Sequence, residues 1–319
     1  MINKIVCFGI INLDVIVKPV TQWPAPGELI HADQTLLCPG GTALNTAVTI
    51  SKIGQFPVDL IGSIGNDHAG EIIMEFLQEN SVNSSGISVE SSRTTGSCIV
   101  AITPSGERSF LYTAGVNDLI RPISELTNKV QGECYVHLGG VLDMALLSGS
   151  NLLHIVKDLK AKGCFVSMDL AWDWGFKGWT GLVDSLPFTD LLTMNAQESK
   201  ALTRESDPVA SARKIVDCGC QQVVIKLGAE GAYIHAPDHV GFVPGFQVDV
   251  LDTTGAGDAF SGALLTGIIN NLNPYEATRF ANAVGAYCVQ QVGATESIPS
   301  YERILEFIKS HNNNDQESI

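Results

Sequence analysis

The stretch Asp252-Thr253-Thr254-Gly255-Ala256-Gly257-Asp258-Ala259-Phe260 holds the residues best suited to chemistry. Three small residues let the backbone turn sharply and come close to a ligand. The chain then runs into Ser261-Gly262-Ala263-Leu264-Leu265, which reads as a helix whose N-terminal N–H groups and dipole favour an anion. Asp258 falls in the first turn of that helix, where it should stay ionised. A carboxylate beside an anion hole suits phosphoryl transfer, where one group takes a hydroxyl proton while backbone donors hold developing charge. The same fragment also reads as an N-capping Asp after a glycine turn.

Gly40-Gly41-Thr42-Ala43-Leu44-Asn45 is a second glycine pair opening a helix. Asn45 can present one acceptor and two donors to a hydroxylated ligand. Asp14 follows the first strand in GIINLD, a place where an Asp also serves as a turn residue. The P-loop pattern is absent, and Gly-Ala-Gly lacks the third glycine of the dinucleotide fingerprint. No G-x-S-x-G elbow or H-E-x-x-H is present. Cys218 and Cys220 lack a second pair at zinc spacing, and Pro237 separates His235 from His239, so neither pair reads as a metal site.

These residues need a scaffold, and the hydrophobic pattern supplies one. Buried strands are expected at Ile5–Gly9, Val58–Ile61, Tyr135–Leu138, Phe165–Met168, Leu191–Met194 and Val223–Leu227. Helices are expected at Ala43–Ile53, Gly70–Glu79, Leu152–Ala161, Ala196–Leu202, Pro208–Cys218, Asp258–Ile269 and Tyr275–Gln290. The alternation predicts βαβ units and a mostly parallel sheet with helices on both faces. Asn12–Leu37 and the hairpin Thr95–Tyr112, with its turn at Pro104–Gly106, break the rhythm and predict a small antiparallel flap. Trp172, Trp174 and Trp179 cluster after the Phe165–Asp169 strand and read as core or lid packing, with a sugar platform as the alternative. The polar ending SHNNNDQESI should fray.

With 319 residues, 45% hydrophobic and 17% charged, the chain can bury a sizeable core. Its formal charge of −15 argues against nucleic acid or an anionic membrane as partner. No transmembrane stretch or basic leader is read, and eight cysteines set mostly in apolar runs suggest a reduced, cytoplasmic protein.

DTTGAGDAFSGALL resembles the C-terminal signature of the ribokinase-like (PfkB) carbohydrate kinases, and the likeness extends over nearly the whole chain. Gly9 to Asp14, GGTALN, IGSIGNDHAGE, Asn195-Ala196-Gln197-Glu198, Lys226 to Gly231, Asn282 and Gly293–Ser297 follow in the family's order. The resemblance implies an α/β, three-layer ribokinase-like fold, with a mostly parallel central sheet, helices on both faces and a small antiparallel β lid. One such domain is expected over 1–309, with lid segments at about 12–37 and 95–112 and a polar tail at 310–319. It further implies that Asp258 is the general base on a sugar hydroxyl, with Gly255, Ala256 and Gly257 as anion hole. Asp14, Gly40, Gly41 and Asn45 would bind the acceptor, and Asn195, Lys226, Gly228, Gly231 and Asn282 would line the ATP site. Glu198 would organise Mg²⁺ through water, and Asp252, Thr254, Gly293 and Ser297 would help form a K⁺ site. A homodimer through the lid is expected.

The implied reaction is ATP-dependent phosphorylation of a hydroxymethyl group on a small sugar or sugar derivative. A nucleoside kinase of the same fold is the alternative, and a non-catalytic sugar-binding regulator is a third reading. Gly139 and Gly140 stand where some ribose kinases carry a carboxylate, and Leu-Ala-Trp-Asp after Asp169 departs from fructokinase-like relatives. Arg108 in GERSF selects no subgroup.

Overall fold

The computed structural model describes residues 4–119, 123–130, 132, 134–171 and 178–316. The chain opens with β1 (Ile5–Gly9), β2 (Asn12–Lys18) and β3 (Gln34–Gly40), then α1 (Thr42–Ile53). After β4 (Val58–Gly65), α2 (His68–Glu79) and β5 (Asn83–Glu90) come β6 (Gly96–Ile102) and β7 (Arg108–Thr113). The middle holds α3 (Ile123–Thr127), β8 (Tyr135–Val141), α4 (Gly149–Ala161), β9 (Phe165–Leu170) and β10 (Leu191–Asn195). Next are α5 (Ala196–Thr203), α6 (Pro208–Val216), β11 (Val223–Lys226), β12 (Gly231–Ala236) and β13 (His239–Pro244). Helices α7 (Ala256–Ile269), α8 (Pro274–Cys288) and α9 (Tyr301–Gln316) complete the chain.

Nine strands form the central sheet in the order β13-β12-β11-β10-β9-β8-β1-β4-β5. All neighbours pair in parallel except β11–β12 and β12–β13. Side chains alternate between faces along each strand. Val6 and Phe8 of β1 accordingly join the core under α4 to α6, while Ile5 and Cys7 join that under α1 and α2. Helices α7, α8 and α9 pack on a further apolar cluster around Phe260, Phe280 and Ile304. Because β4 lies on one side of β1 and β8 on the other, the winding reverses beside β1. In open α/β sheets ligands bind at such a point, outside the carboxyl ends of the strands.

The second sheet has the order β3-β2-β6-β7 and is mixed rather than antiparallel throughout. β2 pairs antiparallel with β3 and β6 with β7, but β2 and β6 run parallel. The reason is positional: β2 leaves the carboxyl end of β1 and β6 that of β5, two strands pointing the same way, so both enter the flap in one direction. The hairpin turn is where the sequence places it, closed by Gly106 N–H donating to Thr103 O at 2.9 Å. Strand register puts Asp14, Cys38, Cys98 and Tyr112 on one face of this sheet. One residue on, Val15, Leu37, Ile99 and Leu111 form an apolar row on the other.

The C-terminal segment differs from the expected frayed tail, since α9 continues to Gln316. Ile304 is fully buried, and the Phe307 ring lies 4.8 Å from that of Tyr287 and 5.1 Å from that of Phe246. That packing holds the first turns of the helix against the core. Trp172 and Trp174 fall outside the described residues. Trp179 packs against the α4–α6 core, with Lys214 Nζ 5.6 Å from its ring centre. No helix among the described residues is long and apolar enough to cross a membrane.

Candidate active site

Two cavities meet at the N-terminus of α7. The first, of about 720 Å³, lies between the four-stranded sheet and the central sheet, and Asp14, Gly41, Asn45, Thr254, Gly255 and Asp258 border it. The second, of about 230 Å³, lies toward the β11–β13 edge, and Lys226, Gly228, Gly231, Ala256, Gly257 and Asn282 border it. The Gly255–Gly257 loop is thus the wall they share.

Gly255 caps α7 in the left-handed conformation (φ 72), and a Cβ there would come 2.4 Å from that of Ala294. Only glycine fits both demands. Asp258 sits one turn in, and Asn45 Nδ2 donates to its Oδ2 at 2.7 Å across 213 residues of sequence. Burial and the nearby Asp169 charge push the Asp258 carboxyl up to about 7, against the pull of Asn45 and Lys226. Asp14 is also pushed up to about 7 by burial, although Asn12 Nδ2 donates to its Oδ1 at 2.5 Å. Gly40 makes room for it, since a Cβ at that position would lie 2.6 Å from Asp14 Oδ2.

Lys226, at the end of β11, is paired with a residue the motifs did not flag. Its Nζ donates to Asp169 Oδ1 at 2.8 Å and Oδ2 at 2.9 Å, and Ser261 Oγ donates to Oδ2 at 2.8 Å. Asp169 is 2% exposed. Burial works against the Lys226 charge, but Asp169 and Glu198 outweigh it and raise its pKa. A Cβ at Gly257 would stand 3.3 Å from Lys226 Nζ, so glycine leaves the ammonium open to the loop.

A third cluster holds the loop from outside. Asp252 Oδ1 accepts from Thr254 N at 2.9 Å and Thr254 Oγ1 at 2.7 Å, while Oδ2 accepts from Gly293 N at 3.1 Å. Burial would raise the Asp252 pKa, but these bonds and the Arg108 charge hold it below the usual carboxylate range. Arg108, the first residue of β7, donates to the hydroxyls of Thr253 and Thr254 and stands 3.7 Å from Asp252. The four-stranded sheet is thereby tied to the loop. Ser297 Oγ donates to Tyr287 O at 2.9 Å, at the end of α8.

Asn195 and Glu198 build a capping box at the start of α5, each side chain accepting from the other's backbone N–H. Neither borders the two cavities. Burial pushes Glu198 up to about 7, with Lys226 pulling it down. Asn282 Nδ2 donates to the carbonyls of Val243 and Pro244, both at 3.1 Å, which fixes the floor of the second cavity. Among the described residues no group of three or more His, Cys, Asp and Glu is placed to hold a metal ion.

The Asp258 carboxylate thus stands in the first turn of a glycine-capped helix, between two cavities. The sequence matches the pfkB family carbohydrate kinase profile over residues 2–301. The chain belongs to this family. Ribokinase of Haemophilus influenzae is 28% identical over 317 residues, covering 97% of this chain and 99% of that protein. Aminoimidazole riboside kinase of Salmonella typhimurium is 29% identical over 296 residues, covering 86% and 89% respectively. Ribokinase of Thermotoga maritima shares the fold at a TM-score of 0.82, with 26% identity, over 97% of this chain and all of that one. The pfkB kinase is therefore a phosphotransferase with an alcohol acceptor.

In this kinase, sequence reasoning overlooked Asp169, Asp143 and the aromatic pair Phe110 and Tyr112, the last three of which border the first cavity. A signal existed for Asp169, an acidic residue at the end of a buried apolar strand.

Proposed function

We propose that the kinase transfers the γ-phosphoryl group of ATP to a hydroxymethyl group of a small sugar or sugar derivative, with Asp258 as general base. The position of Asp258 carries this reading: it borders the lid-side cavity while the helix terminus it belongs to borders the other. The acceptor lies beneath the four-stranded sheet, with Asp14, Gly40, Gly41 and Asn45 holding its hydroxyls. ATP lies along Lys226, Gly228, Gly231 and Asn282, with Asn195 at the strand end beside them. Gly255, Ala256 and Gly257 receive the developing charge. In a loose transition state the proton leaves late, so Asp258 acts mainly by aligning the hydroxyl.

Glu198 fits a divalent cation held through water, because its raised carboxyl lies beside the Asp169–Lys226 pair, where added positive charge would lower it. Mg²⁺ held there through water would supply charge neutralisation on the phosphates. Oxygens around Asp252, Thr254, Gly293 and Ser297 fit a monovalent cation such as K⁺ behind the loop. Phe110 and Tyr112 favour a nucleoside as the second reading, since a base can stack on either ring.

The row Leu37, Val15, Ile99 and Leu111 faces away from the cavity, with Leu37 55% and Leu111 59% exposed. Its two ends are alike, so a two-fold axis through it would set the row against itself, and a second copy of the chain is its proposed partner. Leu37→Lys with Leu111→Lys should then give monomers in sedimentation; an unchanged mass in both proteins would refute the dimer. An ADP-release screen over pentoses, hexoses, sugar acids and nucleosides tests the activity. Turnover of a sugar at least tenfold above any nucleoside supports the first reading, and the reverse order establishes the second.

A further inference from the structure

Lys226 reaches a partner two strands away. In the central sheet β10 lies between β9 and β11. Register sets Thr193 of β10 opposite Asp169 and Asn195 opposite Lys226, so these side chains share one face of the sheet. That face lies under α7, whose Ser261 bonds to Asp169. Neighbouring strands are about 4.8 Å apart, so the Lys226 stem crosses the full width of β10. Its Nζ then meets the two Asp169 oxygens at 2.8 and 2.9 Å. An ammonium has three N–H groups, and these bonds use two of them.

Asp169 is itself fixed. Ser261 Oγ donates to its Oδ2 at 2.8 Å, and that hydroxyl lies 3.2 Å from Thr193 Oγ1 and 3.0 Å from Gly257 O. Thr193, Ser261 and Asp169 are all buried. Asp169 thus keeps a donor from α7 when the lysine turns to another anion. Lys226 meanwhile borders the β11–β13 cavity, and a Cβ on Gly257 would stand 3.3 Å from its Nζ. The N-terminus of α7, the positive end of that helix, opens at the same wall. A phosphate arriving here meets two attractions, the ammonium and the helix terminus. It also meets one repulsion, from the carboxylate that already holds the ammonium.

We propose that Asp169 is a positioning residue that competes with the nucleotide's phosphates for Lys226. It fixes the ammonium at the shared wall, yields it when a phosphate binds and reclaims it when the nucleotide leaves. This rests on the β11–β13 cavity being the nucleotide site. In a buried pair each charge compensates the other, and removing one strands its partner. A phosphate oxygen can replace Asp169 on Lys226 with bonds of the same charge-assisted kind. Binding therefore exchanges one anion for another, and gains less than it would at an unpaired lysine. The consequence is a nucleotide that is placed accurately and still exchanges.

The test is displacement of a fluorescent ADP analogue by ADP and by adenosine, at constant Mg²⁺. The proteins are wild type, Asp169→Asn, Lys226→Met, and Lys226→Met combined with Asp169→Leu. Asp169→Asn should bind ADP about tenfold more tightly or better, the low end of what close charge pairs contribute. Adenosine, which carries no phosphate, should bind as before. A role in folding alone would not tighten ADP against adenosine. Lys226→Met should weaken ADP, because Asp169 then faces the phosphates uncompensated. The double variant strands no charge and should bind ADP within a few-fold of wild type, which keeps the test open if a single variant does not fold. Unchanged or weaker ADP binding in Asp169→Asn, an equal gain for adenosine, or a double variant about 100-fold or more weaker than wild type, beyond what an offset charge pair allows, overturns the proposal. If Lys226→Met leaves ADP affinity intact, the cavity is not the nucleotide site. If it weakens ADP while Asp169→Asn fails to tighten it, only the role of Asp169 falls.

Discussion

Lys226 and Asp169 form a two-point ion pair, 2.8 and 2.9 Å, at the carboxyl ends of β11 and β9. Removing one partner from a buried pair leaves a charge without compensation, which typically costs about 3–5 kcal/mol. Lys226→Met should therefore lower stability by an amount in that range, while Lys226→Met with Asp169→Leu should recover most of it. Urea unfolding of the two single variants and the double variant measures this. Additive losses would show that the pair is not coupled.

Asp258→Asn should lower kcat by ~10²–10⁴, the usual effect of losing a general base. ATP affinity should stay within a few-fold. The same change should stabilise the protein. With a folded value of about 7 against roughly 3.9 unfolded, the native state binds the extra proton between those limits. Stability from Asp258 is thus full at the acid end and lost as pH rises toward 7. The gain in Tm on Asp258→Asn should be larger at pH 8 than at pH 5; an equal gain at both would contradict the raised value.

The acid limb of kcat/KM should fall near pH 7 rather than near 4, because Asp258 and Asp14 both sit near 7. If both must be ionised, the limb steepens toward a slope of two, and Asp14→Asn should return it to one. A limb below pH 5 would mean that neither raised value governs turnover.

Asp14→Ala should raise the acceptor KM at least about tenfold, since each lost bond to a charged group is worth about 1.5–3 kcal/mol. ATP binding should barely move, because Asp14 borders the other cavity. A weakened ATP affinity with an unchanged acceptor KM would reverse the assignment of the two cavities.

Arg108→Ala removes the donors that tie β7 to Thr253 and Thr254. Loss of hydrogen bonds from a charged group predicts a fall in kcat of about tenfold or more, with a smaller effect on ATP affinity. If K⁺ sits behind the same loop, replacing it with a bulky organic cation should also depress kcat. Equal rates in the two buffers would remove the K⁺ site.

The residues read most directly from the sequence were those whose role is local. Gly255 to Asp258 and Gly40 to Asn45 announce a sharp turn and a helix start through glycine placement, and the structure brings both to one cavity. Asp169 left only the signal of an acid closing a buried apolar strand, which does not tell a lysine partner from a ligand, and Asp143 lies in the turn after β8, where no pattern marks it. The parallel β2–β6 pairing was equally invisible, since strand adjacency follows from the direction in which β1 and β5 leave the central sheet. In α9, polar composition argued for fraying, and the ring contacts of Phe307 overrode it.

Helix α1 is buried at every position from Ala43 to Ile50, because the central sheet covers one side and α7 covers another. The fit is close: a Cβ on Gly262 would come 3.0 Å from Thr46 O. A nascent chain therefore makes α1 some two hundred residues before the helix that covers it. Until Ile269 has been synthesised, that apolar surface has no native partner, and contacts of such high sequence separation form late. Chains cut short before α7 should accordingly be prone to aggregation and not merely inactive, and folding on the ribosome becomes as much a constraint on α1 as catalysis is on Asn45.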